Sequence, residues 1–191
     1  MGMLSHDQLV EMGFSELGDN VMISDKASIY SPELITIGSN VRIDDFVVLA
    51  AGVGGITIHS FVHIAVGATL IGAGNITLSQ FSGLSSRVSI YSSSDDYSGE
   101  TLTNPTVPEK FKNVVNADVF IGRHVIVGSG SVVLPGTTLE DGVAIAALSL
   151  VNKDCRSFGI YAGNPVKRIS DRKQKLLELE KEFTSSLKAN E

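Results

Sequence analysis

Residues 121–151 read IGRHVIVGSGSVVLPGTTLEDGVAIAALSLV, and within them Ile121, Val127, Val133, Leu139, Ile145 and Val151 stand six apart without a break. A second row, Val125, Ser131, Thr137, Val143 and Ser149, places small or branched residues two positions before each next aliphatic. An amphipathic helix needs apolar residues at i, i+3, i+4 and i+7, which this stretch does not follow. A six-residue unit with one large and one small inward side chain is a short strand followed by a tight turn. Three units close a triangular coil of about eighteen residues, and coils stacked at about 4.8 Å pair each strand with its successor. Ordinary sandwich strands of period two are the alternative, which so long an unbroken register disfavours.

The same spacing recurs upstream in Leu17, Ile23, Ile29 and Ile35, in Ile37, Ile43 and Leu49, in Ile58, Ile64 and Leu70, and in Leu78, Leu84 and Ile90. A fixed period of this kind predicts an all-β fold, a parallel β-helix over residues 17–169. An unpaired stretch from Tyr91 to Asn116 breaks the register and reads as an extruded loop. Residues 1–16 are expected to form a helical cap on the first coil, with a helix over 5–13, Ser5 or Asp7 at its start, and Leu9, Val10 and Met12 on its apolar side. Leu176, Leu179, Phe183 and Leu187 fall at helical spacing in a charged tail, so residues 170–191 are expected to form an amphipathic helix.

Composition narrows the function. At 191 residues the chain needs only one domain. Fifteen Lys and Arg against 21 Asp and Glu, with no dense basic run, argue against nucleic acid as a partner. The single Cys155 makes no internal disulfide, no metal-ligand spacing is present, and the first residues lack a signal-peptide layout, so a cytoplasmic location is expected. No apolar run approaches the roughly 20 residues of a membrane span, so no membrane insertion is expected.

The repeat resembles the hexapeptide-repeat acyltransferase family, across about residues 17 to 169. Two further pieces carry the resemblance: the interruption at Tyr91 to Asn116, and the segment Gly159-Ile160-Tyr161-Ala162-Gly163-Asn164-Pro165-Val166-Lys167-Arg168-Ile169, similar to the family's terminal coenzyme-A signature. Within the family the likeness points to the galactoside, maltose and antibiotic acetyltransferase branch and its relatives that decorate surface polysaccharides. The resemblance implies a left-handed β-helix and a homotrimer. It also implies transfer of an acetyl group from acetyl-CoA to a hydroxyl or amine of a sugar or nucleotide sugar. Coenzyme A would lie between subunits along the C-terminal coils, with Ser129, Ala147 and Asn152 beside its pantetheine arm and Gly163 giving room near Pro165. Lys153, Lys167 and Arg168 become candidates for its phosphates, against the plainer reading of solvated surface cations.

The catalytic base is where the chain departs from the family pattern. The position at which relatives carry a histidine matches Asp95 in Ser92-Ser93-Ser94-Asp95-Asp96-Tyr97, and that of an acceptor-site asparagine one coil earlier matches Ala65. Of the four histidines, His63 is the candidate substitute: it is expected at a coil corner two residues before Ala65, facing Asp95 or Asp96 across a subunit boundary. A carboxylate holds an imidazole in the useful tautomer and stabilises its protonated form. A corner histidine with no catalytic role is the competing reading, and Asp95 and Asp96 serve equally as turn formers or as ligands for sugar hydroxyls or an amino group. An amine acceptor needs less from a base than an alcohol, which favours an N-acetyltransferase if no histidine serves. A non-catalytic β-helix trimer and a zinc carbonic anhydrase are the alternatives from other classes. The coenzyme signature weighs against the first, and the scatter of His59, His63 and His124 against the second.

Overall fold

A computed structural model describes residues 2–188. The chain winds as a β-solenoid of about seven turns, with three faces of parallel strands. The first face stacks Glu16–Leu17, Ile35–Ile37, Ile56–Ile58, Ile76–Leu78, Val119–Ile121 and Thr138–Leu139. The second stacks Met22–Ile23, Arg42–Ile43, His63–Ile64, Gly83–Leu84, Ile126–Val127, Ala144–Ile145 and Gly159–Ala162. The third runs from Ser28–Tyr30 through Val48–Ala51, Thr69–Gly72 and Ser89–Tyr91 to Val132–Val133 and Leu150–Val151.

Both rows read from the sequence point inward. Ile121, Val127, Val133, Leu139, Ile145 and Val151 are buried, as are Val125, Ser131, Thr137, Val143 and Ser149. Each large residue meets its like in the next coil: Ile43 pairs Ile64, and Leu84 pairs Val127. Truncating one of them, such as Ile64 to Ala, costs about 2–5 kcal/mol, because the stacked neighbours cannot close the gap.

The coil of eighteen holds only toward the C-terminus, where Ile121 pairs Leu139. Earlier coils are longer: Leu17 pairs Ile37, Ile37 pairs Ile58, and Ile58 pairs Leu78, separations of 20, 21 and 20 residues. The surplus sits at the corner between the third and first faces, as the 3-10 turn Pro32–Leu34 and the glycine-rich segments 52–55 and 72–75. This surplus moves Ile35 out of the column of Leu17, Ile23 and Ile29. It pairs Ile56 instead, in the other inward row of the first face.

The expected loop is paired at its base: Ser93–Ser94 and Val115–Asn116 run antiparallel, and Tyr91 still belongs to the third face. The N-terminal helix, α1, spans His6–Glu11, with Ser5 as its cap in a reciprocal hydrogen-bond box with Gln8. It buries Leu9 and packs Met12 against the core, while Val10, expected on the apolar side, faces solvent. After the antiparallel pair Gly159–Ala162 and Lys167–Asp171, the C-terminal helix α2 spans Leu176–Lys188. The expected helix over 170–191 therefore starts six residues late, and its last three positions lie outside the described residues. No helix among the described residues is long and apolar enough to cross a membrane.

Candidate active site

The corner between the second and third faces is built for a groove. One residue per coil adopts left-handed backbone there: Gly67, Arg87, Gly130 and Leu148, at φ +70, 59, +70 and 57°. Each donates its backbone N–H to the residue before the equivalent position one coil below: Arg87 to Val66 at 3.0 Å, Gly130 to Ser86 at 3.0 Å, and Leu148 to Ser129 at 2.9 Å. These bonds tie successive coils together at the corner. Two cavities result, sharing Ser86 and Ser129. One holds His63, Ala65, Gly83, Ser85 and Ile126, and the other Val66, Arg87, Gly130, Ala147 and Leu148.

His63 is not at a corner, as the sequence suggested. It is the outward residue of the strand His63–Ile64, half exposed, and its side chain lies on the flat of the second face. Its Nε2 lies 2.8 Å from Asp44 Oδ2, so within the chain its carboxylate partner is Asp44 from the coil below. Asp44 also accepts from Arg42 Nε at 2.8 Å, and its side chain is only 11 % exposed. Burial pushes the Asp44 carboxyl up, but the hydrogen bonds and charges of Arg42 and His63 outweigh it, leaving the group below its ordinary range. An ionised carboxylate is acceptor-only, so Nε2 carries the proton of the neutral ring and Nδ1 is left as the acceptor.

Asp95 is exposed at the base of the loop and lines two other cavities. One is formed with Ile71, Gly72, Asn104 and Lys112, the other with Tyr91, Tyr97 and Leu134. Neither shares a residue with the corner groove. Asp96 is committed to the loop: it accepts from Ser98 N at 2.8 Å, Thr101 N at 3.1 Å and Thr101 Oγ1 at 2.9 Å. Those bonds, from Ser98 first and then Thr101, hold its carboxyl down at about 2.

Of the coenzyme candidates, Ser129 and Ala147 line the groove, whereas Asn152 and Lys153 follow the strand Leu150–Val151 at the next corner. Gly163 turns the C-terminal hairpin at φ +107 and donates its N–H to Ser149 Oγ at 3.2 Å. Lys167 is exposed, and the Arg168 guanidinium is bonded to Asp171 at 2.7 Å beside the Tyr161 ring. Sequence reasoning missed Ser85, Ser86, Gly83 and Asp44. Each stands one coil from a residue it did single out: Gly83 and Ser85 lie 20 residues after His63 and Ala65, Asp44 lies 21 before Ala65, and Ser86 lies 43 before Ser129, across the loop.

The chain is 54% identical over 186 residues to the dTDP-4-amino-4,6-dideoxy-D-glucose acyltransferase of Escherichia coli, covering 97% of each protein. The chain belongs to the hexapeptide-repeat acyltransferase family. Among solved structures, the N-acyltransferase AntD from Bacillus cereus, in complex with dTDP and 3-hydroxybutyryl-CoA, superposes with a TM-score of 0.93 at 42% identity, over 97% of this chain and 98% of that one. A maltose O-acetyltransferase from Clostridium difficile matches with a TM-score of 0.59 at 20% identity, over 88% of this chain and 74% of that one, which speaks to the fold alone. Within the family, the likeness over nearly the whole chain is to these two acyltransferases, and the O-acetyltransferases expected from the sequence, those of maltose and chloramphenicol among them, are more distant relatives. No protein-family model matches the chain. Acyl-CoA is the co-substrate of this acyltransferase family, and coenzyme A or its thioester is bound in several AntD structures.

Proposed function

We propose that the chain transfers an acyl group from acyl-CoA to the 4-amino group of dTDP-4-amino-4,6-dideoxyglucose, in the cytoplasm, as a homotrimer with its active sites between subunits. The observation that carries this reading is the end-to-end identity with the Escherichia coli enzyme of that acceptor. AntD adds a second support. Its structures include variants of a serine and of an aspartate ten residues further on, some with this amino sugar bound. Ser85 and Asp95 have the same spacing here.

The neutral amine attacks the thioester carbonyl, and a C–N bond forms as the carbonyl pair moves onto oxygen. Collapse breaks the C–S bond, the nitrogen gives up one proton, and the coenzyme leaves as a thiolate that is reprotonated from solvent. In this reading Ser85 donates to the carbonyl oxygen where charge develops. His63, held by Asp44, accepts the amine proton through Nδ1, and Asp95 of the neighbouring loop fixes the amino group. Asp96 shapes that loop. Ser129 and Ala147 flank the pantetheine arm, Asn152 meets it from the adjoining subunit with Gly163 leaving it room, and Lys153, Lys167 and Arg168 meet the phosphates.

The test is release of free coenzyme thiol from acyl-CoA with dTDP-4-amino-4,6-dideoxyglucose, compared with its 4-hydroxy counterpart. Turnover confined to the amine supports the proposal. Comparable kcat/KM for the alcohol would refute N-acylation.

A further inference from the structure

On the second face, the outward residues of successive strands are Arg42, His63, Gly83, Ile126, Ala144 and Ile160. Gly83 alone among these has no side chain, and nothing in the backbone demands that. Its φ lies outside the left-handed region, and a Cβ built there meets only the His63 carbonyl oxygen at 3.9 Å, an ordinary contact. A glycine inside a strand weakens it and often marks a close approach by something else. Its effect here is a notch between His63 and Ile126, whose strands lie two spacings apart, about 9–10 Å. The notch floors a cavity of about 370 Å³ with Ser85 at its rim, continuous through Ser86 and Ser129 with the corner groove.

We propose that Gly83 sets the length of the acyl chain: the alkyl end of the thioester lies over its backbone against Ile126, so that the site takes acyl groups longer than acetyl. This rests on the acyl-CoA reading above. A pantetheine arm running along the groove past Ala147 and Ser129 brings the thioester to Ser85. The chain beyond the carbonyl then meets the notch, whose walls by Ile126 and Ala65 are apolar and whose floor carries no charge.

The experiment compares acetyl-CoA with butyryl-CoA, at saturating dTDP-4-amino-4,6-dideoxyglucose, for the wild type, Gly83→Ala and Gly83→Val, with light scattering on each. The wild type should turn over both donors. In Gly83→Val the butyryl-to-acetyl ratio of kcat/KM should fall at least tenfold, since one methylene in a fitted pocket is worth roughly that much or more. Gly83→Ala should fall between, and it carries the test if the valine variant does not fold. Equal loss for both donors, a raised KM for the sugar alone, or a changed subunit number would overturn the proposal, assigning the notch to the acceptor or to a neighbouring subunit. A wild type that uses acetyl-CoA only would overturn it as well. A wild type that turns over neither donor removes the acyl-CoA reading itself, and this proposal with it.

Discussion

Asp44 shows what one buried carboxylate does for its neighbour. It lies in the coil below His63, and its two oxygens are shared between Arg42 and His63. That sharing places the proton of the neutral His63 ring on Nε2 and leaves Nδ1 as the acceptor, the atom to which the proposed mechanism gives the amine proton. Because the proposed acceptor is an amine, the demand on that base is small. His63→Ala should lower kcat by about tenfold at neutral pH, and the loss should shrink as rising pH deprotonates the amine unaided; kcat measured from pH 6 to 9 checks this. A loss of about 10²–10⁴-fold that persists at every pH would mean an alcohol-type base and would sink the amine reading. His63 was legible in the sequence as the histidine nearest the family's acceptor site, but its partner was not. Asp44 is 19 residues away, and adjacency across coils appears only once the coil length is known to be 20 or 21 rather than eighteen.

At the scale of elements, α2 is fastened to the solenoid by a stack that the sequence hid. Phe61 and Phe81 occupy equivalent left-handed corner positions in successive coils and lie parallel at 4.9 Å, with His124 stacked on Phe81 at 5.1 Å. Phe183 of α2 meets Phe61 edge-on at 5.4 Å. Beside it Glu180 accepts from His124 Nε2 at 2.8 Å and pairs Arg123, while the Arg172 guanidinium donates to His124 O at 2.6 Å. Burial raises the Glu180 carboxyl, but its bonds to His124 and Arg123 outweigh this and hold it below its ordinary 4.5. A carboxyl depressed by folding stabilises above its unfolded value, and that stability is lost as pH falls through the folded one. Glu180→Gln should therefore cost about 1–3 kcal/mol at neutral pH, read as a lower Tm, and the gap from wild type should close as pH falls below the ordinary carboxylate range. An unchanged Tm at pH 7 would mean that Phe183 and its rings hold the helix alone. The amphipathic spacing of Leu176, Leu179, Phe183 and Leu187 announced the helix, and the six-residue period announced the solenoid. What covers the helix was unreadable, because Phe61, Phe81 and His124 are 20 and 43 residues apart and the loop interrupts their count.

For the whole molecule, the corner groove and the loop cavities of one chain are separate. The corner groove carries Ser85, Ser86, Ser129 and Ala147, and the loop carries Asp95, Tyr97 and Lys112, with no residue common to the cavities of each. The proposed homotrimer would supply their juxtaposition, the groove of one subunit meeting the loop of the next across a head-to-tail interface. This has a consequence that no single-chain site shares. Ser129 is exposed, so Ser129→Trp should fill the groove without unfolding the coil, and Asp95→Ala should empty the loop's contribution. Each variant alone should lose nearly all activity. When the two are unfolded together and refolded as mixed trimers, a site is intact wherever an Asp95→Ala subunit lends its groove to the loop of a Ser129→Trp subunit. Random assortment of equal amounts makes that about a quarter of all interfaces, so about a quarter of wild-type activity should return. If groove and loop served the same site within one chain, every site in the mixture would carry one lesion, and the refolded mixture would stay as inactive as its parents.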